Sequence, residues 1–283
     1  MKPLRRATLP GGEQVPVLGQ GTYRMGEDRE KRRTEVGALR SGIELGMTVI
    51  DTAEMYADGG AERVVGEAIA NVRDDVFIVT KFYPQNATRK RMREACERSL
   101  KRLGTDRIDL YLLHWRGDVP LRETIAGFDD LLADEKIRYA GVSNFDVDDL
   151  EELSRLKEGL RRVVTDQVLF NLIRRGAESS VLPWSRQRRR PIMAYSPLEE
   201  GLLSHRAHPT LAEIAGRHDA TAAQVALAWV IRTDDVIAIP KSSRVAHVRE
   251  NRGAADIHLT RRDLDQLEES FPAPETKIPL EVR

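Results

Sequence analysis

Residues 49–56, which read VIDTAEMY, contain a short apolar run that ends at a carboxylate, with a tyrosine five residues further on. The run is long enough for one buried strand, so Asp51 would lie at its C-terminal end, where a charge is costly unless it is paired. Lys81 and His114 each close another apolar run. Polar residues at three strand ends predict one site at the mouth of a parallel barrel, with Tyr56 in the loop beside it.

Apolar runs alternate with amphipathic helical patterns along the chain, which indicates a βα barrel or a doubly wound sheet. The count of eight predicted strands favours a closed barrel. The predicted strands are 17–21, 48–52, 76–81, 108–114, 139–143, 164–170, 192–196 and 236–240. The predicted helices between them are 30–45, 61–71, 90–103, 121–134, 148–156, 180–188 and 222–232.

The two ends of the chain add elements outside this alternation. Residues 6–17 carry a Pro-Gly-Gly turn and predict a β-hairpin, and residues 245–255 and 261–270 predict two further helices. We find no repeat or linker and predict a single domain, residues 1–283. Its predicted class is α/β, and its predicted fold is a (β/α)8 TIM barrel with an N-terminal β-hairpin and two extra C-terminal helices. For the polar tail 275–283, the sequence leaves open whether it folds over the barrel mouth or stays mobile.

Capping residues support the helix boundaries. Thr88, Thr221 and Thr260 are each placed to cap the N-terminus of the helix that follows, and Gly104 lies just past the end of a helix. These positions predict where four helix ends fall.

Composition limits the function classes. The formal net charge of +0 gives no general attraction to nucleic acid or to an anionic membrane. The arginine run 188–190 is interpreted as a solvated helix end rather than as a polyanion site. No apolar stretch approaches a membrane span, and the N-terminus lacks the apolar core of a signal peptide. We expect a cytoplasmic protein, and the single cysteine, Cys96, which cannot form an internal disulfide, agrees with that compartment. We also predict a monomer.

Several motifs together resemble one enzyme family. Asp51, Tyr56, Lys81 and His114 resemble the catalytic tetrad of the aldo-keto reductases in order and in local context. Later segments that resemble family motifs are LLHW (112–115), GVSNF (141–145), AYSPL (194–198) and IPKS (239–242). The resemblance covers residues 19–251, and both ends of that range look most like short-loop bacterial members that reduce methylglyoxal and other small aldehydes.

The resemblance implies a role for each tetrad residue. Tyr56 would be the general acid; a free tyrosine titrates near about 10, so we expect the Lys81 ammonium to lower its pKa, with Asp51 holding Lys81 in place. His114 would orient the substrate carbonyl. Taken singly, Asp51 with Lys81 is equally well explained as a structural ion pair, whereas His114 is better explained as a core histidine and Tyr56 as a loop aromatic. The four in matching motifs favour the catalytic set.

The resemblance also implies NADPH as the cofactor. Asn144 and Gln167, with Ser143 beside them, would hold the nicotinamide carboxamide, and Tyr195 would stack on the ring; as an alternative, Gln167 caps a helix and Tyr195 belongs to the core. Residues 19–24 lack the third glycine of a dinucleotide-binding GxGxxG, so a Rossmann fold is unsupported. The residues predicted to contact this half of the cofactor are Gly21, Thr22, Tyr23, Asp51, Ser143, Asn144, Gln167, Tyr195, Ser196, Pro197 and Leu198.

The resemblance implies that the adenosine 2′-phosphate, the phosphate end of the cofactor, binds beyond the last strand. A hydroxyl and cations in a loop before a helix suit a phosphate. His247 stands where NADPH-committed family members often carry arginine, which leaves NADH use open, although Arg244 can compensate; the alternative for Arg244 is plain solvated surface. The residues predicted for this end are Ile239, Lys241, Ser242, Ser243, Arg244 and His247, with Glu250 and Asn251 facing the adenine.

The substrate pocket is predicted from apolar residues near the tetrad, namely Tyr23, Met25, Met55, Phe82 and Trp115, although the two methionines are equally well explained as packing. The loop at 116–120 is short, which favours an open pocket for small aldehydes, dicarbonyls or sugars. We therefore predict an NADPH-dependent carbonyl reductase that acts on a small-molecule carbonyl and holds no metal. The alternatives are a cofactor-binding regulatory module with a vestigial site and a metal-dependent barrel hydrolase, although the first strand carries no His-x-His pair.

Overall fold

The chain begins with an antiparallel hairpin, as predicted. In the computed structural model, which describes residues 2–205 and 208–282, β1 (Arg6–Thr8) pairs with β2 (Gln14–Pro16). The side chains of Leu9 and Val15 are buried in the core. The hairpin therefore seals apolar surface at one end of the molecule.

Eight parallel strands form the barrel, and each pairs with the next one along the chain. They are β3 (Gln20–Gly21), β4 (Val49–Asp51), β5 (Phe77–Phe82), β6 (Ile108–Leu113), β7 (Ile137–Ser143), β8 (Val163–Leu169), β9 (Ile192–Tyr195) and β10 (Val236–Ala238). Backbone hydrogen bonds from Ala238 N to Val17 O (2.9 Å) and from Gly19 N to Ala238 O (2.8 Å) join the last strand to the first. The predicted barrel and its eight strands are confirmed.

Helices surround the sheet within the described residues. They are α1 (Arg32–Glu44), α2 (Gly60–Ile69), α3 (Arg89–Leu103), α4 (Leu121–Ala133), α5 (Val147–Ser154), α6 (Gly159–Arg162), α7 (Val181–Gln187), α8 (Leu202–His205), α9 (Pro209–Arg217), α10 (Ala222–Val230), α11 (Val245–Gly253) and α12 (Arg261–Ser270). Short 3-10 turns lie at Arg29–Lys31, Arg73–Asp75, Pro84–Asn86, Gly176–Ser179, Glu199–Gly201 and Ala254–Asp256. None of the helices in these ranges is long and apolar enough to span a membrane.

The sequence prediction missed α6, α8 and α9. The signal for α9 was present, because Pro209 occupies the first helical turn, where its missing N–H costs nothing, and Leu211 and Ile214 give one buried face. The helices α6 and α8 have four residues each, which is too short for a periodic pattern to be recognised.

The predicted caps are confirmed at three of four helix ends. Thr221 and Thr260 each form a reciprocal capping box with the third residue of the following helix, and Gly104 ends α3 with a left-handed φ of 66°. The capping prediction for Thr88 is wrong, because its side chain makes no capping hydrogen bond although it occupies the N-cap position of α3.

The arginine run at the end of α7 is only partly solvated. Arg188 lies over the Trp184 ring and donates to Glu151 Oε1 of α5 at 3.1 Å. Arg190 donates to the backbone carbonyls of Val163 and Leu160. Only Arg189 is exposed. Two of the three guanidinium groups therefore fasten α7 to neighbouring elements, and the prediction of a solvated end is wrong for them.

The C-terminal tail packs against loops at the carboxyl ends of the strands. Glu281 accepts from Arg174 at 2.7 Å, Lys277 lies 3.7 Å from the Asp146 carboxylate, and Leu280 packs against the core. The described tail therefore docks at the edge of the barrel mouth, which the sequence had left open.

Candidate active site

A fully buried lysine forms the centre of the site. Lys81 lies near the end of β5, and its Nζ donates to Asp51 Oδ2 (2.8 Å), to the backbone oxygen of Thr52 (2.8 Å) and to Tyr56 Oη (3.2 Å). An ammonium group has three N–H donors, and this arrangement uses all of them. Burial alone would lower the pKa of Lys81, but Asp51 and Tyr56 raise it above its ordinary value, so the group is charged at neutral pH.

Asp51 is held on both of its carboxylate oxygens. Oδ1 accepts from Gln167 Nε2 at 2.7 Å, while Oδ2 faces Lys81. The Thr22 hydroxyl donates to the Asp51 backbone oxygen at 2.9 Å. A buried carboxylate with two donors satisfies the condition for an ion pair to persist in the interior.

The expected lowering of the Tyr56 pKa is wrong. Burial raises the pKa of Tyr56, and although Lys81 lowers it, the nearby Asp51 opposes Lys81. The hydroxyl is therefore protonated at neutral pH, and the neighbouring ammonium stabilises its anion only once the proton has left.

His114 follows β6 and is mostly buried. Its ring centroid lies 6.0 Å from that of Tyr56 and 4.9 Å from that of Trp115. Burial, with a smaller contribution from the Lys81 charge, lowers the pKa of His114 to about 3. The imidazole is therefore neutral, and its buried Nδ1 has no hydrogen-bond partner among the described residues.

The residues predicted to hold the nicotinamide are connected to one another at the ends of β7, β8 and β9. Asn144 has a left-handed φ of 59°, donates to His114 O (3.1 Å) and accepts from Tyr195 Oη (2.9 Å). Ser143 Oγ donates to the Gln167 backbone oxygen at 2.8 Å. The predicted alternative of a helix-capping Gln167 is wrong, because its side chain points to Asp51 inside the barrel. Pro197 is buried, and Ser196 and Leu198 are half-buried.

The residues predicted for the phosphate end lie at the start of α11. Lys241, which bridges to Gly21 of β3, is exposed, as are Arg244 and His247. Ser242 Oγ accepts from Arg244 N at 3.1 Å, Ser243 is half-buried, and Ile239 is buried. These residues lead into α11, and the N-terminus of a helix suits an anion.

The two residues predicted to face the adenine lie further along α11. Glu250 Oε1 accepts a hydrogen bond from the Thr221 hydroxyl at 2.7 Å, so this carboxylate also fastens the start of α10. Asn251 is 5% exposed. An adenine contact through Asn251 therefore needs movement of the surrounding side chains.

The apolar residues predicted for the substrate pocket divide into two groups. Tyr23 and Trp115 are 52% and 36% exposed and lie beside Tyr56 and His114, whereas Met55 is half-buried. The prediction is wrong for Met25 and Phe82, which are fully buried.

Phe82 is buried because side chains alternate between the two faces of a strand. Lys81 points into the barrel, so Phe82 points outward, where its ring lies 5.8 Å from that of Phe128 in α4. Phe82 therefore belongs to the core between sheet and helices.

Sequence reasoning missed two residues beside the site. Glu54 is buried, and its Oε1 accepts from Tyr83 N and from Asn86 Nδ2, both at 2.8 Å. The Tyr83 ring lies 5.9 Å from that of Trp115 in an edge arrangement. The sequence signal for Glu54 was its position as a second carboxylate within residues 49–56. The Glu54 side chain ties the loop after β4 to the loop after β5.

Known proteins resemble the chain over nearly its whole length. Residues 17–271 match the model of the aldo/keto reductase family. Methylglyoxal reductase YeaE of Escherichia coli is 49% identical over 96% of each chain. Two crystal structures of an aldo/keto reductase from Klebsiella pneumoniae, one with NADP and acetate and one with NADPH, superpose with a TM-score of 0.94 at 46% identity, covering 99% of this chain and 100% of the other.

The motif order, the barrel and the buried Asp51-Lys81 pair with its tyrosine agree with this match. The chain therefore belongs to the aldo/keto reductase family, and it is an oxidoreductase.

Proposed function

We propose that the protein is an NADPH-dependent carbonyl reductase that reduces small aldehydes and ketoaldehydes such as methylglyoxal to alcohols, with Tyr56 as the general acid. The observation that carries the proposal is the 3.2 Å contact from Lys81 Nζ to Tyr56 Oη within a buried ion pair. The similarity to a methylglyoxal reductase and to structures that contain NADP or NADPH supports the substrate class and the cofactor.

The proton chemistry follows from the charges around Tyr56. The phenol enters the reaction protonated, because burial raises its pKa. As the carbonyl oxygen gains negative charge, Tyr56 donates its proton, and the Lys81 ammonium stabilises the phenolate that remains. Asp51 fixes Lys81 through its 2.8 Å contact, and His114, being neutral, has one N–H with which to orient the carbonyl oxygen.

The described residues fit the proposed cofactor. NADPH, when bound, supplies the hydride. Exposed Lys241 and Arg244 at the start of α11 would neutralise phosphate charge. At the other end, Asn144 and Gln167 would hold the carboxamide; since Gln167 Nε2 already donates to Asp51, this contact would use Gln167 Oε1.

The mouth of the barrel supports a small substrate. Tyr23 and Trp115 present partly exposed rings on either side of Tyr56 and His114. Only residues 116–120 separate Trp115 from α4, so this loop is too short to fold over a large ligand. A compact carbonyl would reach the tetrad between the two rings.

The site argues against the metal-dependent hydrolase. Asp51 would have to be a ligand, yet both of its oxygens accept from protein donors. Releasing it to a metal would leave the buried ammonium of Lys81 unpaired, which is strongly unfavourable.

The test is oxidation of NADPH and NADH with methylglyoxal by the wild type and by Tyr56→Phe. Loss of the hydroxyl should lower kcat by about 10²- to 10⁴-fold, the usual contribution of a general acid. Tyr83→Phe, which removes another hydroxyl at the mouth, is the matched control and should keep its activity. Activity that survives in Tyr56→Phe would assign the proton to His114 or to water. Binding of NADPH without turnover of any aldehyde in a broad panel would favour the regulatory module.

We also propose that the protein is a single-domain monomer of the cytoplasm. The absence of a membrane-spanning helix in the described ranges is consistent with this location. Light scattering of the purified protein would test the monomer directly.

A further inference from the structure

A buried asparagine joins the loop after β8 to the loop after β9. Asn171 Nδ2 donates to Ser196 O (2.9 Å) and to Glu199 Oε2 (2.7 Å), while its Oδ1 accepts from the backbone N–H groups of Ile173 and Arg174, both at 2.8 Å. Asn171 is fully buried, and its amide makes four hydrogen bonds. Its position is therefore tightly determined, and it determines the position of its partners.

The segment that Asn171 holds has an unusual backbone. Ser196, Glu199 and Glu200 have φ values of 47°, 47° and 52°, in the left-handed region that residues other than glycine rarely adopt. Such conformations persist where surrounding contacts impose them, and they concentrate at functional sites. This segment includes Ser196, Pro197 and Leu198, which we propose as cofactor contacts.

Arg174 connects this segment to the C-terminal tail. Its Nε donates to Glu199 Oε1 at 3.1 Å, and its Nη1 donates to Glu281 Oε1 at 2.7 Å. The Glu199 side chain is 3% exposed, whereas that of Glu281 is 33% exposed. One guanidinium thus bridges a buried carboxylate beside the cofactor segment and a carboxylate of the docked tail.

The charges give the bridge a consequence for binding. Glu199 directly follows the segment 196–198, and the proposed cofactor carries several phosphate charges. A buried carboxylate near the binding segment of an anionic cofactor disfavours binding unless a cation compensates its charge. Arg174 supplies that cation, and its own orientation is held by Glu281.

We propose that Arg174 is a positioning residue that couples the C-terminal tail, through its contact with Glu281, to cofactor binding. It holds Glu199, and with it the strained segment 196–199, and the Glu281 contact keeps Arg174 in place. This inference rests on the proposed NADPH-dependent function. The tail has a second anchor, because Ile278 packs beside Gly176 in the loop after β8. Loss of the Glu281 contact would therefore leave the tail docked. The coupling between tail and cofactor depends on that one contact.

The experiment is a mutant cycle on the full-length chain. The variants are Arg174→Gln, Glu281→Gln and both together, with Arg174→Gln combined with Glu199→Gln as a charge-compensated variant. The dissociation constant of NADPH is measured by quenching of tryptophan fluorescence, and KM for NADPH, KM for methylglyoxal and kcat are measured separately. Arg186→Gln, which breaks a surface ion pair with Asp235, is the matched control for loss of an arginine.

We expect Arg174→Gln to weaken NADPH binding by about fivefold or more, a typical coupling factor, while kcat at saturating NADPH and KM for methylglyoxal keep wild-type values. Glu281→Gln should weaken NADPH binding less, and it should add nothing in the Arg174→Gln background. Glu199→Gln should restore part of the lost affinity, which a merely structural role of Arg174 would not produce. Arg186→Gln should bind NADPH as the wild type does.

Two results would overturn the inference while leaving the proposed function intact. One is wild-type NADPH affinity in Arg174→Gln; the other is independent, additive effects of Arg174→Gln and Glu281→Gln. A wild-type protein that does not bind NADPH would overturn the proposed function and this inference together.

Discussion

The buried imidazole of His114 should stay neutral in acid, where an ordinary histidine is charged. Its pKa is about 3 in the folded protein, because burial and the Lys81 charge disfavour the imidazolium, against about 6.5 in an unfolded chain. Between these values the unfolded state binds a proton that the folded state does not. Acidification therefore favours unfolding.

The size of this effect follows from the two pKa values. Protonation of His114 in the unfolded chain should remove about 2 kcal/mol of stability between pH 7 and pH 5. The total loss should reach about 4 kcal/mol at about pH 3, where the folded protein also binds the proton. Down to about pH 5 the folded enzyme keeps a neutral His114. The pH profile of kcat/KM should therefore show no limb from this residue between about pH 5 and pH 8.

The assay combines NMR with denaturation. His114 is one of six histidines, and its imidazole signal is assigned by its absence in His114→Gln. The signal should not titrate down to about pH 5. Urea denaturation of both proteins at pH 7 and pH 5 should show the wild type losing about 2 kcal/mol more than the variant. A midpoint near the ordinary histidine value, or equal losses in the two proteins, would refute the reasoning.

Three further substitutions test the packing and charges around the site. Lys81→Met leaves a buried carboxylate unpaired and should cost about 3–5 kcal/mol of unfolding free energy, measured in urea; a loss below about 1 kcal/mol would mean that the pair contributes little. Gly42→Ala would place a methyl group 2.0 Å from Gln20 Oε1 and should lower the free energy of unfolding by about 1–3 kcal/mol. The control Gly37→Ala, in the same helix, meets no atom within 4 Å and should stabilise the protein slightly. Equal melting temperatures for the two variants would contradict this packing argument. Arg244→Gln should raise KM for NADPH by about tenfold and leave KM for NADH unchanged, as measured by initial rates; parallel changes with both cofactors would argue against a contact to the 2′-phosphate.

Much of the fold and the centre of the site could be predicted from local sequence. Most barrel strands contain a short apolar run with its own boundaries, so their positions follow largely from the sequence pattern. Asp51 is the last residue of its strand, Lys81 is one residue before the end of its strand, and His114 directly follows its strand. Because parallel strands in a barrel share one carboxyl-terminal face, position along the chain already implied proximity in space.

Other features depend on which way a side chain points and on what surrounds it. Phe82 and Lys81 are neighbours in sequence, yet one packs against α4 and the other holds Asp51. The pKa of Tyr56 is raised rather than lowered because burial outweighs the nearby ammonium, and burial is a property of the folded chain.

The connections between distant segments were decided by the tertiary structure. Gln167 reaches Asp51 across the barrel, 116 residues away in the chain, and Arg174 reaches Glu281 across 107 residues. Such pairs leave no periodic or spacing signal, because a polar side chain in a loop has many possible partners until packing brings one within hydrogen-bonding distance. The sequence by itself determined the barrel and the residues at its strand ends, because periodicity and strand boundaries are local properties. The tertiary structure alone decided how those residues are charged, held and linked to the tail, because burial and long-range contact exist only in the folded chain.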